Sequence, residues 1–486
     1  MNAEKLINIL SEFKCDQKLD RVIVKNIEMD HREITNEAMF ICIKGYTVDG
    51  HQFAQAAVDN GASLIVSEKE LNVSVPVVIV PDTSRALAQL ANAFYQHPSA
   101  DLKVIGVTGT NGKTSVTHII DEIHRYVSLK TALIGTLQMV IEDQNYPVKN
   151  TTPDALFLQK NLRKMVDENV DVVTMEVSSH ALDIGRVHGV DVDIAVFTNL
   201  SQDHLDYHQS MDHYLYAKSL LFSQLGNSLN QKKAKYAIIN LDDSNADFLI
   251  KATAQPILTY GVKNEATFQA TEIEWKSAGV TFNMNTPEGV IAIHSKLMGM
   301  FSVYNILAAA AAAYASGIAL TDIQTVLNQT TGVKGRFQPV EHQQDFSVII
   351  DYAHTPDSLE NVLSTIQRFC QGDIHVVVGC GGDRDRRKRP LMAEVACQYA
   401  DYAIFTSDNP RSESPQAIID DMVAGISSQN YQIQIDRKNA IQQAIQRARK
   451  DDVVLIAGKG HETYQIVGDE VLDFDDEKAA LEFLNE

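Results

Sequence analysis

The sequence predicts an α/β protein of three domains, and three observations support this fold class. The chain has 486 residues, about three times a common domain length of roughly 150 residues. Apolar strand-like runs alternate with amphipathic segments, a pattern typical of parallel sheets covered by helices. The alternation is interrupted near Pro98 and in the segment 330–336, which contains two glycines. These breaks predict domains at 1–99, 100–332 and 333–486.

Each predicted domain has its own strand and helix pattern. In the first, strands are expected at 39–43, 63–66 and 75–80, and a helix at 84–97. In the second, strands are expected at 103–107, 171–177, 192–198 and 236–240, an antiparallel meander at 266–297, and helices at 116–127, 305–316 and 322–328. In the third, strands are expected at 347–350, 375–378, 402–406 and 453–456. The third domain is predicted to be Rossmann-like, with functional loops at the carboxyl ends of its strands.

Composition excludes several classes of protein. Lys plus Arg is 42 and Asp plus Glu is 63, so the net charge of −21 argues against a nucleic-acid binder. The longest apolar run, 306–315, is about half of the roughly 20 residues needed to span a bilayer. The five cysteines have no CxxC spacing and the N-terminal segment has no signal-peptide pattern. We therefore expect a cytoplasmic protein without membrane insertion.

The strongest local motif is Thr108-Gly-Thr-Asn-Gly-Lys-Thr114, between a predicted strand and a predicted helix. Backbone N–H groups of such a loop bind phosphate, the lysine adds positive charge, and the threonine hydroxyl suits Mg²⁺. The loop is a shortened variant, since Val107 occupies the usual position of the first glycine. A glycine-rich turn that only caps a helix is the alternative. The predicted ATP-binding residues here are Gly109, Thr110, Asn111, Gly112, Lys113, Thr114 and Ser115.

Three polar residues outside this loop are candidates for a metal site. Glu176 ends a predicted strand, and His204 lies in the loop after the next one, so both could approach Mg²⁺. Taken alone, His204 fits a surface residue better. Lys218 lies beside the apolar face of a helix, where periodicity favours a side chain that extends along that face into solvent.

These motifs occur in the same order in the Mur ligases. The others are Asn199-Leu-Ser-Gln-Asp-His-Leu-Asp-Tyr-His208, Ala217-Lys-Ser-Leu-Leu-Phe222, Gly335-Arg-Phe337 and Asp351-Tyr-Ala-His-Thr-Pro356. The chain resembles this family over essentially its whole length, and most closely its members that add the third amino acid of the peptidoglycan stem peptide. The resemblance implies ATP-dependent amide-bond formation on a UDP-linked muramoyl peptide. It also implies that the three domains bind UDP, ATP and the incoming amino acid, respectively.

The resemblance also assigns roles to individual residues. It implies a catalytic set of Lys113, Glu176, His204 and Lys218, with Lys218 carbamylated by CO₂. Mg²⁺ would be held by Thr114, Glu176, His204 and the Lys218 carbamate. Asn305, Arg336 and Asp351 match positions around the adenine and ribose of ATP. The UDP-muramoyl-dipeptide would contact His31, Tyr46, Thr47, Val48, Asn150, Thr151, Thr152, Ser178 and Arg186. Family members commonly have Asp-Ser-Arg where this chain has Asp30-His-Arg32, so His31 either replaces the serine contact or borders the pocket.

The motif Asp408-Asn-Pro-Arg411 resembles the mark of family members that add meso-2,6-diaminopimelate. Arg411 could bind the distal carboxylate of this amino acid through two hydrogen bonds, while oxygens of Asp408 and Asn409 accept hydrogen bonds from its distal ammonium group. Lysine lacks that carboxylate and would leave the arginine unpaired. The diaminopimelate contacts implied are Arg384, Asp408, Asn409, Pro410, Arg411, Gly458 and Glu462. A plain Asx-Pro turn is the alternative for the motif, and a solvated basic loop is the alternative for Arg386, Arg387 and Arg389.

Three other functions remain open from the sequence. A lysine-adding enzyme of the same family would differ in its amino-acid selectivity. A folylpolyglutamate synthetase would share the phosphate loop without needing the first domain. A nucleotide-dependent switch would hydrolyse ATP independently of any amine. For the ligase, the resemblance implies an acyl-phosphate intermediate and domain closure around three small-molecule substrates, and we expect a monomer.

Overall fold

The computed structural model describes residues 1–45, 48–227, 234–276 and 279–485. Helices and strands alternate along the chain around three main sheets, so the predicted α/β fold class is confirmed. Within the described ranges, no helix combines the length and apolar character needed to cross a bilayer.

The N-terminal sheet is parallel, with strand order β1-β2-β3-β4. Its strands are β1 (Asn26–Glu28), β2 (Ala38–Ile41), β3 (Ala62–Ser67) and β4 (Val77–Ile79), and its helices are α1 (Ala3–Ile7), α2 (Ala54–Asp59) and α3 (Thr83–Phe94). The Asp82 side chain caps α3 by accepting from the Arg85 backbone N–H. Ala155 and Leu156, at the start of a helix of the next domain, pack into the apolar core of this sheet. The first and second domains therefore share a packed boundary.

The central sheet has the order β15-β14-β13-β12-β11-β10-β5-β9-β6-β7-β8. Its strands are β5 (Lys103–Thr108), β6 (Thr131–Ile134), β7 (Met139–Ile141), β8 (Gln144–Tyr146), β9 (Val172–Glu176), β10 (Ile194–Phe197), β11 (Tyr236–Asn240), β12 (Ile257–Gly261), β13 (Phe268–Lys276), β14 (Gly279–Thr286) and β15 (Gly289–Ser295). Its helices are α4 (Lys113–Tyr126), α5 (Ala155–Asp167), α6 (Ser179–Asp183), α7 (Leu205–His208), α8 (Met211–Ser223), α9 (Ala246–Ala252), α10 (Met300–Ala315) and α11 (Leu320–Gln329). The predicted antiparallel meander forms one edge of this sheet.

Strand β5 lies between β9 and β10 and is parallel to both. Val107 is in register with Glu176, and Thr108 with Phe197. The loops that follow these three strands therefore leave the same edge of the sheet side by side. This arrangement places the segments after Thr108, Glu176 and Phe197 next to one another.

The C-terminal sheet has the order β16-β17-β21-β18-β19-β20, and a separate hairpin consists of β22 and β23. The strands are β16 (Gln338–Pro339), β17 (Ser347–Asp351), β18 (Ile374–Val378), β19 (Tyr402–Phe405), β20 (Tyr431–Ile433), β21 (Val453–Ala457), β22 (Tyr464–Val467) and β23 (Glu470–Asp473). The helices are α12 (Pro356–Gln367), α13 (Lys388–Tyr399), α14 (Pro415–Val423), α15 (Arg437–Arg447) and α16 (Asp476–Leu484). Strands β17, β21, β18 and β19 are parallel neighbours, so the loops after them also share one edge.

Candidate functional site

The loop formed by the Thr108–Thr114 motif, here called the phosphate-type loop, joins β5 to the N-terminus of α4, as the motif predicts. Gly109 and Gly112 have φ values of 149° and 88°, which disfavour residues with a side chain. A Cβ atom at Gly112 would lie 2.5 Å from the Asn305 side-chain oxygen. The end of β10 braces the loop, since Asn199 Oδ1 accepts from the Asn111 backbone N–H at 2.9 Å. These contacts restrain the loop, which ends at the N-terminus of α4, the end of a helix that favours an anion.

Two lysines donate to the same loop carbonyl. Lys113 Nζ lies 2.9 Å and Lys218 Nζ 2.8 Å from the Gly109 carbonyl oxygen. Burial lowers the pKa of Lys218 well below its usual range, and the positive charge of Lys113 lowers it further. Lys218 is only 1% exposed, so the solvent-directed orientation favoured by helical periodicity is wrong. A neutral amine at this position is the form that reacts with CO₂.

The Glu176 carboxylate lies on the other side of the loop, at the end of β9. Its Oε1 accepts from the Thr114 hydroxyl at 3.0 Å and from the Thr136 backbone N–H at 2.9 Å. Its Oε2 accepts from the Thr136 hydroxyl at 3.0 Å. These bonds allow a carboxylate that is 1% exposed to lie next to the phosphate-type loop.

His204 lies in a group of aromatic and imidazole rings beside Lys218. Its ring is 4.9 Å from that of His180 and 6.0 Å from that of Tyr214. Burial lowers the pKa of His204 to about 3, so the imidazole is neutral and able to act as a ligand. Asp203 adjoins it at 3.4 Å and also faces His354 and Lys388 of the C-terminal domain, each at 3.5 Å.

The residues that surround the loop could contribute ligands to a metal ion only in combination with other groups. Within the described ranges, no three His, Cys, Asp or Glu side chains are grouped as a metal site. The predicted set instead combines one carboxylate, one imidazole, one hydroxyl and a lysine. It would therefore need a modified Lys218 and phosphate oxygens to complete the shell of a hard cation.

A testable pH effect arises from His208 in the same group of rings. Burial and, to a lesser extent, the charge of the nearby His180 lower its pKa to about 4. Between roughly pH 6.5 and pH 4 the unfolded chain binds a proton here that the folded chain does not, so stability decreases as the pH falls. We expect His208→Gln to reduce the loss of unfolding free energy between pH 7 and pH 5 by about 1–2 kcal/mol in urea titrations. Glutamine can retain the hydrogen bond to Ser179, which is 2.8 Å in the wild type. An unchanged pH dependence would contradict this assignment.

A cleft of about 260 Å³ lies between the phosphate-type loop and the C-terminal domain. Asn305, Arg336 and Asp351 line it, as the sequence resemblance implies for a nucleotide site. Arg336 donates to the Thr114 hydroxyl at 3.1 Å and stacks on the Tyr352 ring at 4.4 Å. Asp351 accepts from the Phe337 and Ala353 backbone N–H groups, and burial raises its pKa. A second contact between the central and C-terminal domains joins Asn111 Nδ2 to the Asp357 carboxylate at 2.9 Å.

Part of the predicted muramoyl-dipeptide set is grouped next to Glu176. The Thr152 hydroxyl donates to the Glu176 carbonyl at 2.9 Å and accepts from the Ser178 backbone N–H at 2.9 Å. Arg186 donates to the Thr152 carbonyl oxygen at 2.9 Å. The Thr151 hydroxyl lies 3.1 Å from that of Thr136, and Asn150 is exposed.

The predicted uridine-side residues lie in the N-terminal domain. The His31 ring is stacked on Phe53, with centroids 4.4 Å apart and planes 5° from parallel. Val48 is 51% exposed. Tyr46 and Thr47 lie outside the described residues.

The predicted amino-acid residues come together at the carboxyl edge of the C-terminal sheet. We name loops 381–387, 408–411 and 458–462, which follow β18, β19 and β21, the C-terminal loop cluster. Arg384 and Arg411 both border Gly381, since a Cβ atom there would lie 3.8 Å from the Arg384 side chain and 3.0 Å from that of Arg411. Gly458 also leaves no room for a side chain, because a Cβ atom there would lie 2.8 Å from Asp408 Oδ2. Pro410 packs its carbonyl against Gly382.

The Asn409 amide makes hydrogen bonds within the C-terminal loop cluster. Its Oδ1 already accepts from Lys459 Nζ at 3.1 Å and from the Ile466 backbone N–H at 3.0 Å. Its Nδ2 donates to Glu462 at 2.8 Å. Both ends of the Asn409 amide are therefore engaged by protein groups, and Glu462 accepts from Asn409, Lys459 and Tyr352.

Sequence reasoning missed several residues of the site. Arg389 was placed among residues that could belong to a solvated basic loop, but it is fully buried and pairs with Glu413 and Asp421. Asp203 and Lys459 were not singled out, although each is one to three residues from a predicted site residue. Position next to His204 (for Asp203) or next to Gly458 (for Lys459) was the sequence signal available for them.

Comparisons with known proteins give matches along nearly the whole chain. Residues 107–313 match the Mur ligase middle domain, residues 335–460 the Mur ligase glutamate ligase domain, and residues 23–95 the Mur ligase family catalytic domain. A UDP-N-acetylmuramoyl-L-alanyl-D-glutamate–2,6-diaminopimelate ligase from Oceanobacillus iheyensis is 54% identical over 484 residues, covering 99% of this chain and 98% of the relative.

Two solved structures extend the comparison. A ligase of the same description is 36% identical with a TM-score of 0.70, covering 100% of this chain and 99% of its own. A folylpolyglutamate synthase from Mycobacterium tuberculosis shares the fold alone, at 16% identity and a TM-score of 0.65, with 77% of this chain and 92% of its own covered. Matched family models and full-length similarity show that the chain belongs to the Mur ligase family.

Proposed function

We propose that this protein is an ATP-dependent ligase that adds meso-2,6-diaminopimelate to UDP-N-acetylmuramoyl-L-alanyl-D-glutamate. The observation that carries the proposal is the 54% identity, over 99% of the chain, to a ligase named for this reaction. The product belongs to peptidoglycan precursor synthesis, and hence to cell-wall growth, cell shape and division. We assign UDP binding to 1–99, ATP binding to 100–332 and amino-acid binding to 333–486, in a monomer that works in the cytoplasm.

Magnesium and a lysine carbamate are part of the proposal. Thr114, Glu176, His204 and carbamylated Lys218 would hold the metal, which when bound neutralises phosphate charge and orients the transferring group. Two observations support this fit. The buried Lys218 has a lowered pKa, as a carbamate-forming amine requires, and the His204 imidazole is neutral.

The first half-reaction transfers the γ-phosphoryl group of ATP to the free carboxylate of the glutamate residue. The phosphate-type loop and Lys113 would bind the phosphates, and Arg336 would stabilise charge from the C-terminal side. Thr152, Ser178 and Arg186 lie beside Glu176, a placement that suits holding the acceptor carboxylate near the γ-phosphate. The resulting acyl phosphate is the activated form of that carboxylate.

In the second half-reaction, the free amine of diaminopimelate attacks the acyl carbon. A tetrahedral intermediate forms, inorganic phosphate leaves, and an amide remains. No nucleophilic serine or cysteine is required. Arg384 and Arg411 would bind the distal carboxylate, while Asp408 and Glu462 would accept from the distal ammonium group. Contacts of Asp203 and Asn111 with the C-terminal domain favour reaction in a closed arrangement of the domains.

Phosphate release from ATP tests the proposal directly. The assay contains UDP-N-acetylmuramoyl-L-alanyl-D-glutamate and Mg²⁺, with no amine, with lysine, or with meso-diaminopimelate. We expect sustained release only with diaminopimelate, because ligation consumes the acyl phosphate. Faster release with lysine would indicate the lysine-adding reaction, and release independent of any amine would indicate a switch. Activity only with a folate and glutamate would indicate a folylpolyglutamate synthetase.

A further inference from the structure

A lysine that the proposed mechanism does not use lies within the C-terminal loop cluster. Lys459, in the loop after β21, has no exposed side-chain surface. Its Nζ donates to Asn409 Oδ1 at 3.1 Å and to Glu462 Oε2 at 3.2 Å, and it lies over the Tyr464 ring at 5.5 Å. An ammonium group without exposure is costly unless it is paired, so these two contacts determine whether it is tolerated.

Lys459 connects the two loops that present the polar groups of the site. Asn409 Oδ1 accepts from Lys459 and from the Ile466 backbone N–H, and two donors on one atom fix the amide orientation. The opposite end of the amide, Nδ2, donates to Glu462 Oε2 at 2.8 Å. Lys459 Nζ and Asn409 Nδ2 thus both donate to Glu462 Oε2. The other carboxylate oxygen, Oε1, accepts from the Tyr352 hydroxyl at 3.4 Å.

The same lysine changes the charge balance of the cluster. Lys459 adds a positive charge beside Arg384 and Arg411, where Asp383, Asp408 and Glu462 are the carboxylates whose charges act on Arg411. The Lys459 charge attracts the distal carboxylate of an incoming amino acid and repels a distal ammonium group.

We propose that Lys459 is a positioning and selectivity residue of the amino-acid site. It holds Asn409 and Glu462 in a preset orientation, and its charge disfavours a substrate whose distal end is only cationic. This inference rests on the proposed function, since it concerns how the same site chooses its amine.

The test replaces Lys459 with methionine in the full-length protein, which removes charge and hydrogen bonds while keeping the length of the side chain. We expect KM for diaminopimelate to rise about 10- to 100-fold, the range for lost charged hydrogen bonds. We expect kcat and KM for ATP to change less than about twofold, and the preference for diaminopimelate over lysine to fall. Unchanged KM and unchanged preference would overturn the proposal.

A matched control is Lys235→Met. Lys235 is also a buried lysine held by carboxylates, with Asp191 at 2.6 Å and Asp193 at 2.9 Å, but it lies beside the central sheet. We expect this variant to lose thermal stability without any change in KM for diaminopimelate. If both variants affect only stability, Lys459 has a purely structural role and the proposal is wrong.

A double variant keeps the test decisive if Lys459→Met folds poorly. Lys459→Met combined with Glu462→Gln removes both charges of the buried pair. If Lys459 acts through Glu462, the double variant should have a KM for diaminopimelate no higher than Glu462→Gln alone. Fully additive effects would contradict the proposal. Wild-type protein is measured in parallel, and wild-type phosphate release that ignores diaminopimelate would refute the proposed function itself.

Discussion

Replacing Lys218 with alanine is expected to reduce ligation about 100- to 1,000-fold, the scale of losing one preorganised electrostatic group in an active site. The expectation follows from the position of Nζ, 2.8 Å from the Gly109 carbonyl of the phosphate-type loop, in a side chain that is 1% exposed. Burial and Lys113 lower its pKa, which leaves an amine able to add CO₂ and become an anionic ligand. Alanine removes that anion. The measurement is phosphate release with all three substrates.

Two controls separate the carbamate from a loss of packing. Short carboxylic acids added to Lys218→Ala should partly restore turnover, because a small carboxylate can occupy the vacated space. In wild-type protein supplied with ¹³C-labelled CO₂, a carbamate carbon signal should appear by NMR, and it should be absent from the variant. Wild-type activity in Lys218→Ala, or a fully active enzyme in CO₂-free buffer, would refute the carbamate.

Replacing Arg411 with alanine is expected to raise KM for diaminopimelate about 100-fold, since two charge-assisted hydrogen bonds to one carboxylate would be lost. Arg411 has a φ of 51°, and its Nη1 donates to the Gly382 carbonyl at 2.8 Å, so the guanidinium is held in place before substrate binds. Burial and the neighbouring Arg384 lower the pKa of Arg411, an environment that an incoming carboxylate would relieve. The variant should also lose its preference for diaminopimelate over lysine. Competition between the two amines in one assay measures that ratio.

Arg387→Ala is the matched control for Arg411→Ala. Arg387 lies in the neighbouring loop of the C-terminal loop cluster, where it pairs with Asp385 and has a 58% exposed side chain. Its replacement should leave both KM for diaminopimelate and the selectivity ratio near the wild-type values. An unchanged ratio in Arg411→Ala, or an equal effect in Arg387→Ala, would count against recognition of a distal carboxylate by Arg411.

Much of the fold could be predicted because the signals are local. Strand β11 begins and ends where expected, at Tyr236 and Asn240, and the glycine-lysine-threonine motif opens α4. Helix α10 begins at Met300, five residues before the predicted start, because Met-Phe-Ser-Val-Tyr precedes the alanine-rich run on which the prediction was based. The short edge strands β16 and β20 escaped prediction, since two or three residues carry little periodicity.

The environments of the site residues were less predictable. Helical periodicity directed Lys218 toward solvent, and composition suggested a solvated environment for Arg389, yet both are buried. Lys218 is buried against the Gly109 carbonyl, which lies 109 positions away in the chain. Arg389 is buried because Glu413 and Asp421 come from the following loop and helix. Neither partner can be inferred from spacing alone.

By itself, the sequence determined which residue types follow each strand, and hence that Lys113, Glu176 and His204 lie at strand ends. It also determined the family, through motifs whose order extends along the whole chain. Only the tertiary structure decided which of these ends are neighbours, through the order β10-β5-β9 in one sheet and β17-β21-β18-β19 in the other. The physical reason is the sequence distance over which each interaction acts. Periodicity and capping act over a few residues, whereas the burial and pairing of a charge depend on strands brought together from distant parts of the chain.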